Sequence, residues 1–334
     1  MMNKNFLKTS DFSHDELEQM LEAAFRFKRG EDSAKSLAGK SVALVFFNPS
    51  LRTRASMQVG VYELGGNPVI LEPGSTSWTL EHRENVVMDG DKTEHLAEFV
   101  RVLERYAAAI GVRTFANLKD WEAERLEPIL SAFERYASKP LVNLESAMHH
   151  PCQALADMMT IRERFGNQKK KVLLTWAWHP KPLPMAVPNS FALAAAQFGH
   201  DLTIAHPAGF ELDGELVGEI EAQVRENGGS LEITNDVNSS FEDVEVVYAK
   251  SWGSKNFYGA AEKDIEFRSK FRPDWIVDEE KMRRTNDAIF MHCLPVRRNV
   301  IVTDAVIDGA NSVVVDEAEN RLHAQKAVLA KLVK

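Results

Sequence analysis

The chain has 334 residues, of which 44% are hydrophobic and 27% are charged, and its formal net charge at pH 7 is −9. This length suits roughly two domains of ~150 residues each, and the acidic balance argues against a nucleic-acid partner, which would require a basic face. No apolar run approaches the ~20 residues of a membrane helix, no secretory signal pattern is visible, and two cysteines are too few for a disulfide scaffold. We therefore expect a cytoplasmic protein with reduced thiols and no membrane partner.

The first half of the chain alternates predicted helices with short apolar strands. Ser13 and Glu16 form a capping-box pattern at the start of a helix, in which each side chain bonds the other residue's backbone amide. The apolar run 41–47 is too short for a helix and predicts a buried strand, and a turn then leads to a helix at 52–64. The remaining elements predicted for this half are strands at 69–71, 108–112 and 141–144 and helices around 96–103 and 126–137.

The same alternation restarts after Pro151 and ends in an amphipathic helix at 322–333. Between these points lie predicted helices at 153–165, 187–198 and 212–227 and short strand-like runs at 172–178, 202–205, 244–249, 288–293 and 312–315. Strands and helices that alternate at this spacing indicate βαβ units, and hence parallel sheets covered by helices on both faces. The sequence therefore predicts an α/β fold with two doubly wound parallel-sheet domains of similar size.

Polar residues follow the predicted strands, at the edge where open α/β sheets bind their ligands. These residues are Ser50, Leu51, Arg52, Thr53 and Arg54 after the first strand, then Arg113, then Glu145 with His149 and His150, then Lys250, then His292 with Cys293, and Arg321 at the start of the last helix. We expect the functional residues to lie among them.

The first of these segments predicts a phosphate site. A strand, a tight turn and a helix start present unpaired backbone amides and the positive end of the helix dipole. Arg52 and Arg54 place positive charge at that same end, which is unfavourable unless an anion lies between them. The alternative interpretation is a solvated first turn of a helix with no bound anion. Neither of the common glycine-rich nucleotide loops is present.

The other motifs are weaker when each is taken alone. A histidine before proline, such as His150, is more often a packed or capping residue than a catalyst, and no further ligands complete a metal site with His149. Cys293 at a strand end is more typical of a buried thiol than of a nucleophile. The aromatic pair Trp176 and Trp178 is expected to pack in the core.

Taken together, these segments resemble the aspartate/ornithine carbamoyltransferase family. The matching motifs are Ser50-Leu51-Arg52-Thr53-Arg54, Arg113, His150-Pro151-Cys152-Gln153 and His292-Cys293-Leu294-Pro295, in that order along nearly the whole chain. The last motif resembles the ornithine side of the family, but the D-x-x-x-S-M-G motif that holds a free amino-acid end is absent. The chain is thus similar to the branch that acts on N-acylated ornithine, whose α-nitrogen carries no charge.

The resemblance implies transfer of the carbamoyl group of carbamoyl phosphate to the δ-amine of N-acetylornithine, a step in arginine biosynthesis. It implies a carbamoyl phosphate domain at 1–148, an acylornithine domain at 149–318 and a C-terminal helix at 319–334 that returns to the first domain. The residues that it implies for catalysis are Arg113, His150 and Thr53. For carbamoyl phosphate they are Ser50, Leu51, Arg52, Thr53, Arg54, Trp78, Arg113, His150, Pro151, Cys152, Gln153, Cys293, Leu294 and Arg321, and for the acylornithine they are Glu145, Lys250, Leu294 and Thr93.

The acyl group is left open by one position. The resemblance implies that the residue before Glu94 is Glu in enzymes for the acetyl substrate and Pro in those for the succinyl substrate, whereas this chain has Thr93. N-succinylornithine is therefore the second candidate acceptor, and free ornithine the third. Thr93 can also be interpreted as an ordinary first-turn helix residue behind an Asp91 cap.

The family resemblance further implies a homotrimer with shared active sites, in which Trp78 reaches into a neighbouring subunit, and a reaction that needs no cofactor or metal. Two other classes of protein fit the sequence less well. A nucleotide-dependent oxidoreductase would carry a glycine fingerprint, which is missing, and a catalytically silent relative would not have every catalytic motif position filled.

Overall fold

The computed structural model describes residues 5–334 and divides the chain into two compact units. The first unit consists of the chain up to Ala116, Glu122–Cys152 and Arg321–Lys334, and the second of Asn117–Trp121 and Gln153–Asn320. The breaks after residues 152 and 320 lie four and two residues beyond those expected after 148 and 318, and a short segment at 117–121 belongs to the second unit.

The first unit is built on a four-stranded parallel sheet in the order β2-β1-β5-β6. The strands of this part of the chain are β1 (Ser41–Phe46), β2 (Asn67–Leu71), β3 (Leu80–Glu81), β4 (Glu94–His95), β5 (Ala109–Arg113) and β6 (Leu141–Glu145), of which β3 and β4 form a separate parallel pair. The helices are α1 (His14–Lys28), α2 (Arg52–Glu63), α3 (Leu96–Tyr106), α4 (Trp121–Glu124) and α5 (Pro128–Tyr136), and a short 3-10 helix spans Thr9–Asp11.

Local sequence signals explain several of these boundaries. The predicted capping box is present, because the Ser13 hydroxyl accepts from the Glu16 amide and the Glu16 carboxylate accepts from the Ser13 amide. Pro128 stands at the first turn of α5, where its missing N–H removes no helical bond. The central strand β1 is buried along Val42–Phe46 because helices cover both faces of the sheet.

The second unit is built on a five-stranded parallel sheet in the order β11-β10-β7-β8-β9. Its strands are β7 (Lys171–Trp176), β8 (Asp201–Ala205), β9 (Ser230–Thr234), β10 (Val246–Lys250) and β11 (Ile289–Met291). The helices of this part of the chain are α6 (Pro151–Phe165), α7 (Ala186–Gln197), α8 (Gly214–Asn227), α9 (Ala261–Ser269), α10 (Glu279–Met282), α11 (Asp304–Ile307) and α12 (Val314–Leu332), with 3-10 helices at Ser239–Phe241 and Lys255–Phe257. The predicted α/β class with parallel sheets is confirmed.

One predicted strand is wrong, and three strands were missed, namely the edge strand β9 and the two-residue strands β3 and β4. The run 312–315 makes only an isolated bridge between Ser312 and Phe290, and α12 begins at Val314. Val313 and Val314 are both buried, Val315 is 73% exposed, and Glu317 and Asn320 are buried again, so this run follows helical periodicity and tertiary packing overrides its β propensity. Strand β9 escaped prediction because it lies at a sheet edge and is mostly exposed, so its sequence has no apolar run.

Within the first unit, the C-terminal part of α12 packs on α2. A Cβ at Gly60 would lie 3.3 Å from the Lys326 side chain and 3.4 Å from Leu322, so glycine permits the close approach of the two helices. Lys326 Nζ also lies 2.6 Å from a Glu63 carboxylate oxygen. This packing fixes the position of Arg321 near the start of α2.

In the part of the chain from residue 5 onward, no helix combines the length and the apolarity that a membrane crossing requires.

The buried imidazole of His200 predicts a pH dependence of stability. Its Nδ1 accepts from the Lys170 amide at 3.2 Å, and burial, followed by the charge of Arg162, lowers its pKa from 6.5 to about 4. An unfolded histidine titrates near pH 6.5, so at lower pH the unfolded chain takes up a proton that the folded chain refuses. The contribution of His200 to stability is therefore complete above about pH 6.5 and is lost as the pH falls from there towards 4.

We expect His200→Asn to flatten this dependence, because its amide oxygen can accept the same N–H without titrating. Urea unfolding of both proteins between pH 7 and 4.5 measures the difference, which approaches ~1.4 kcal/mol per pH unit below pH 6.5. Parallel pH profiles for the two proteins would contradict the prediction.

Candidate active site

The turn between β1 and α2 is ordered by its own side chains. The Ser50 hydroxyl accepts from the Thr53 amide at 3.2 Å and thereby satisfies one of the first-turn amides of α2. Asn48 accepts from the Phe115 amide at 2.7 Å, which ties the turn to the end of β5. Leu51 is 80% exposed. Of the predicted phosphate ligands in this turn, Ser50 thus stands one residue before the N-cap, Leu51, and bonds a first-turn amide of α2.

The Thr53 hydroxyl lies between two arginine side chains. It is buried and accepts from Arg113 Nη1 at 3.4 Å and from Arg321 Nη2. A hydroxyl has two acceptor positions and one O–H donor. Because both guanidinium groups donate to it, the remaining capacity of Thr53 is to donate its own proton, and its cationic neighbours strengthen that donor.

Arg113 and His150 converge on one anionic oxygen. Glu145 Oε2 lies 2.5 Å from Arg113 Nη1 and 3.4 Å from His150 Nε2, and all three side chains are at least 88% buried. The Arg113 guanidinium also lies over the ring of Phe115, 4.2 Å from its centroid. This arrangement can place two hydrogen-bond donors on a single negatively charged oxygen. The resemblance assigned Glu145 to the amino-acid acceptor, whereas in the structure its carboxylate contacts these two residues.

Glu145 also has an unusual backbone. Its φ is +149°, a region rarely occupied by residues other than glycine, and the pairing register of β5 and β6 shifts beside it. The Asn143 side chain accepts from the Glu145 amide at 3.0 Å and helps to hold this conformation. Strained positions of this kind concentrate at functional sites.

Arg321 is a buried cation without an anionic partner. Its residue is 4% exposed, Nη2 donates to Thr53, and Nε has no hydrogen-bond partner. Within residues 5–334, no carboxylate pairs with its guanidinium. Burying an uncompensated charge is costly, so an anion from outside the chain would be stabilised beside Arg321.

The two arginines at the start of α2 differ in their surroundings. Arg54 Nη1 lies 2.6 Å from Glu72 Oε1, and the Arg54 side chain is 41% exposed, so its charge is already partly balanced. Arg52 is half-buried at the first position of the helix. Arg321 therefore remains the stronger candidate for holding an anion.

Trp78 and Thr93 lie in the loops around β3 and β4. Trp78 is 56% exposed, and its indole N–H donates to Glu94 at 2.7 Å beside a cavity of about 250 Å³ that Phe99 and Tyr106 also line. Thr93 is exposed and precedes β4, so its interpretation as a first-turn helix residue is wrong. The helix begins later, at Leu96, because His95 caps it.

In the second unit, Gln153 is held by two carboxylates. Its Nε2 donates to Asp157 at 2.7 Å and to Glu317 at 3.0 Å, while its Oε1 is buried without a hydrogen-bond partner. Glu317 also accepts from the His292 amide at 2.9 Å, and His292 Nδ1 accepts from the Leu294 amide at 2.9 Å. The carboxylates were not predicted, because nothing near them in sequence marks their partners.

Both cysteines are free and buried. The Cys152 thiol donates to the Asn143 carbonyl at 3.8 Å, and burial raises its pKa to about 12, so it is a packing residue rather than a reactive one. Cys293 contacts Tyr248, whose pKa is raised by burial.

Pro151 begins α6. The prediction that Trp176 packs in the core is confirmed, since it is 1% exposed.

Lys250 ends β10 and is half-buried. The pKa of His179 is lowered to about 4, first by burial and then by the charges of Arg297, Lys250 and Arg268. Arg297 and Lys250 thus add positive charge around His179. Sequence reasoning missed Arg297 although it follows the His292-Cys293-Leu294-Pro295 motif by two residues.

Models of both domains of the aspartate/ornithine carbamoyltransferase family match the chain. The carbamoyl-P binding domain matches residues 4–163, and the Asp/Orn binding domain matches residues 184–332.

Individual relatives are similar over nearly their whole length. The N-acetylornithine carbamoyltransferase of Xanthomonas campestris pv. campestris is 46% identical over 337 residues, covering 100% of this chain and 98% of that protein. The N-succinylornithine carbamoyltransferase of Bacteroides thetaiotaomicron is 39% identical over 322 residues, covering 95% of each. A crystal structure of acetylornithine transcarbamylase complexed with acetylcitrulline matches with a TM-score of 0.97, at 46% identity and 99% coverage of both chains.

The Thr53 cluster predicts a stability effect. Thr53→Val replaces the hydroxyl with a methyl group of similar size, so Arg321 Nη2 loses the hydroxyl that accepts from it, while Arg113 Nη1 keeps its contact with Glu145. We expect the free energy of unfolding to fall by about 1–3 kcal/mol, measured by urea unfolding. Thr53→Ser, which keeps the hydroxyl, is the control and should cost much less. Equal losses for both variants would show that the methyl group, not the hydroxyl, stabilises the site.

Proposed function

The chain belongs to the aspartate/ornithine carbamoyltransferase family, and we propose that it transfers the carbamoyl group of carbamoyl phosphate to the δ-amine of N-acetylornithine. The products are N-acetylcitrulline and phosphate. The observation that carries the proposal is the buried guanidinium of Arg321, which contacts the Thr53 hydroxyl and has no carboxylate partner among residues 5–334. A substrate that brings its own negative charge compensates it.

The phosphate group meets this requirement. It is dianionic, or nearly so, at neutral pH, and the start of α2 supplies backbone amides and a positive dipole end. Arg52 and Arg321 add fork-shaped donors that suit phosphate oxygens. Arg54 contributes less, because Glu72 already pairs with it.

Arg113, His150 and Thr53 are the proposed donors to the carbamoyl oxygen. The neutral δ-amine attacks a planar carbonyl, so negative charge develops on that oxygen in the transition state. The convergence of Arg113 and His150 on Glu145 Oε2 supports this role, because it shows that both can reach one anionic oxygen. At about 3 kcal/mol for a well-placed donor, the three together supply a substantial part of the acceleration.

The carbamoyl NH2 needs hydrogen-bond acceptors. The buried Oε1 of Gln153 is such an acceptor, and the backbone carbonyls of Cys293 and Leu294 are the further ones proposed from the family resemblance. Leu294 has a φ of +52°, an uncommon conformation that turns its backbone within the His292-Cys293-Leu294-Pro295 motif. Acceptors in fixed positions orient the electrophile for attack.

The acylornithine is the second substrate. We propose that Lys250 binds the α-carboxylate of the acylornithine and that Glu145 lies near its δ-amine. The departing phosphate takes the proton of that amine. The charge of Arg297 beside that of Lys250 supports a carboxylate site there. No dedicated base or metal is required by this chemistry.

The acyl group is assigned to acetyl on the strength of the more similar relatives, with succinyl as the second candidate. Thr93 favours the second candidate, because an uncharged hydroxyl does not repel a succinyl carboxylate as a glutamate would.

The exposed indole of Trp78 suits the proposed homotrimer, in which it reaches a neighbouring active site. The cytoplasmic location stays a prediction.

A panel of acceptors tests the proposal. The purified protein is given carbamoyl phosphate with ornithine, N-acetylornithine or N-succinylornithine, and the ureido product is measured. We expect N-acetylornithine to give the largest kcat/KM. Thr93→Glu should lower activity on N-succinylornithine at least ~10-fold while sparing N-acetylornithine, since it restores the repelling charge. Preference for free ornithine would overturn the branch assignment.

A second test concerns the phosphate site. Arg52→Ala should lower kcat/KM for carbamoyl phosphate at least ~100-fold, because a charged donor to phosphate is lost, while the circular dichroism spectrum and melting temperature are kept. Arg29→Ala is the control, since Arg29 pairs with Glu31 on the surface at the end of α1. Near-normal activity of Arg52→Ala would contradict the assigned role.

A further inference from the structure

We propose that Glu317 and Asp157 are positioning residues that lock the Gln153 carboxamide in one orientation, and so make the enzyme select a carbamoyl phosphate over an acetyl phosphate. The inference rests on the proposed function, because it concerns how that substrate's NH2 group is recognised. It assigns a task to two buried carboxylates, both 0% exposed, that the mechanism does not otherwise use.

The contacts define a one-sided arrangement of the amide. Both carboxylates lie on the Nε2 side of Gln153, with Asp157 Oδ1 at 2.7 Å and Glu317 Oε1 at 3.0 Å. An amide nitrogen has two N–H donors, and the two carboxylates take one each. The reversed orientation would place the amide oxygen against two carboxylate oxygens, which is strongly unfavourable. Gln153 therefore presents only its oxygen on the other side.

That oxygen needs a donor. Gln153 Oε1 is buried and has no hydrogen-bond partner among residues 5–334, and a buried acceptor left unsatisfied costs free energy. An N–H group on a ligand removes this cost, whereas a methyl group does not. The carbamoyl group differs from the acetyl group of acetyl phosphate by this one substitution of NH2 for CH3.

Glu317 also connects the Gln153 amide to the His292-Cys293-Leu294-Pro295 motif. Its other oxygen accepts from the His292 amide at 2.9 Å, and His292 Nδ1 in turn accepts from the Leu294 amide at 2.9 Å. One carboxylate thus bonds the Gln153 side chain and the backbone that carries the Leu294 carbonyl. Two of the three acceptors proposed for the carbamoyl NH2, Gln153 Oε1 and the Leu294 carbonyl, are thus linked to Glu317.

A site built around fixed polar partners rejects an analogue that lacks the matching group far more strongly than an apolar pocket does. We therefore expect the wild-type protein to bind carbamoyl phosphate at least ~100-fold more tightly than acetyl phosphate. The ratio of the two dissociation constants, measured by calorimetry, is the direct readout of this selectivity.

Glu317→Gln should reduce that ratio at least ~10-fold. A glutamine offers one oxygen and one NH2 to two donors, so either the His292 amide meets another donor or Gln153 turns its own oxygen inward. Binding of carbamoyl phosphate then weakens, while acetyl phosphate and inorganic phosphate bind as before. A general loss of structure would instead weaken all three ligands, and melting temperatures identify that outcome.

Two control variants separate the specific effect of Glu317 from the general effect of replacing a carboxylate with an amide. Glu245→Gln is the matched control, because Glu245 lies in the same unit, just before β10, and makes the same kinds of contact as Glu317. Its carboxylate accepts from the Lys170 side chain and from the Lys171 backbone amide. This variant should leave the ratio unchanged. Asp157→Asn should reduce the ratio less than Glu317→Gln does, since Asp157 bonds the Gln153 amide, whereas Glu317 bonds both that amide and the backbone amide of His292.

A double-mutant cycle completes the test. If Glu317 acts through Gln153, Glu317→Gln should cost little selectivity once Gln153→Ala is present. Undiminished selectivity in Glu317→Gln, or full additivity with Gln153→Ala, would overturn the inference alone. Failure of the wild-type protein to bind carbamoyl phosphate or to form ureido product would overturn the proposed function itself.

Discussion

The buried hydroxyl of Thr53, held between the guanidinium groups of Arg113 and Arg321, is the contact on which the first unit's chemistry depends. Only the fold brings together these three residues, which stand far apart in sequence. Two cations so near each other repel, and burial strengthens that repulsion. Glu145 balances Arg113, but Arg321 has no such partner in the described chain. An anion bound beside Arg321, as the proposed function requires, would therefore stabilise this arrangement.

Two buried carboxylates serve opposite purposes in the two units. Glu145 lies against cationic or polar donors, and its strained backbone holds it beside Arg113 and His150. Glu317 lies against an amide and a backbone N–H, where it fixes which atom of Gln153 is presented. In the proposed mechanism, the first marks donors for a developing negative charge, and the second orients an acceptor for an NH2 group.

The regular elements were largely predictable from local sequence. Buried strands such as β1 are short apolar runs, and α1 begins at its capping box, so both were found within a residue or two. The failures lie where local pattern and tertiary environment disagree. Strand β9 is exposed at a sheet edge, and the valine-rich run at 312–315 enters a helix because its burial alternates with helical, not strand, periodicity.

The sequence by itself determined the α/β class, the family and the residues that carry its motifs, because periodicity, helix-start chemistry and short ordered motifs are local properties. Only the tertiary structure decided how those residues are paired: that Glu72 pairs with Arg54, that Arg321 has no carboxylate partner among residues 5–334, and that Glu317 accepts from the amide of Gln153. Charge balance and hydrogen-bond direction depend on distances between residues remote in the chain. Those distances are set by sheet order and helix packing, and a linear pattern does not contain them.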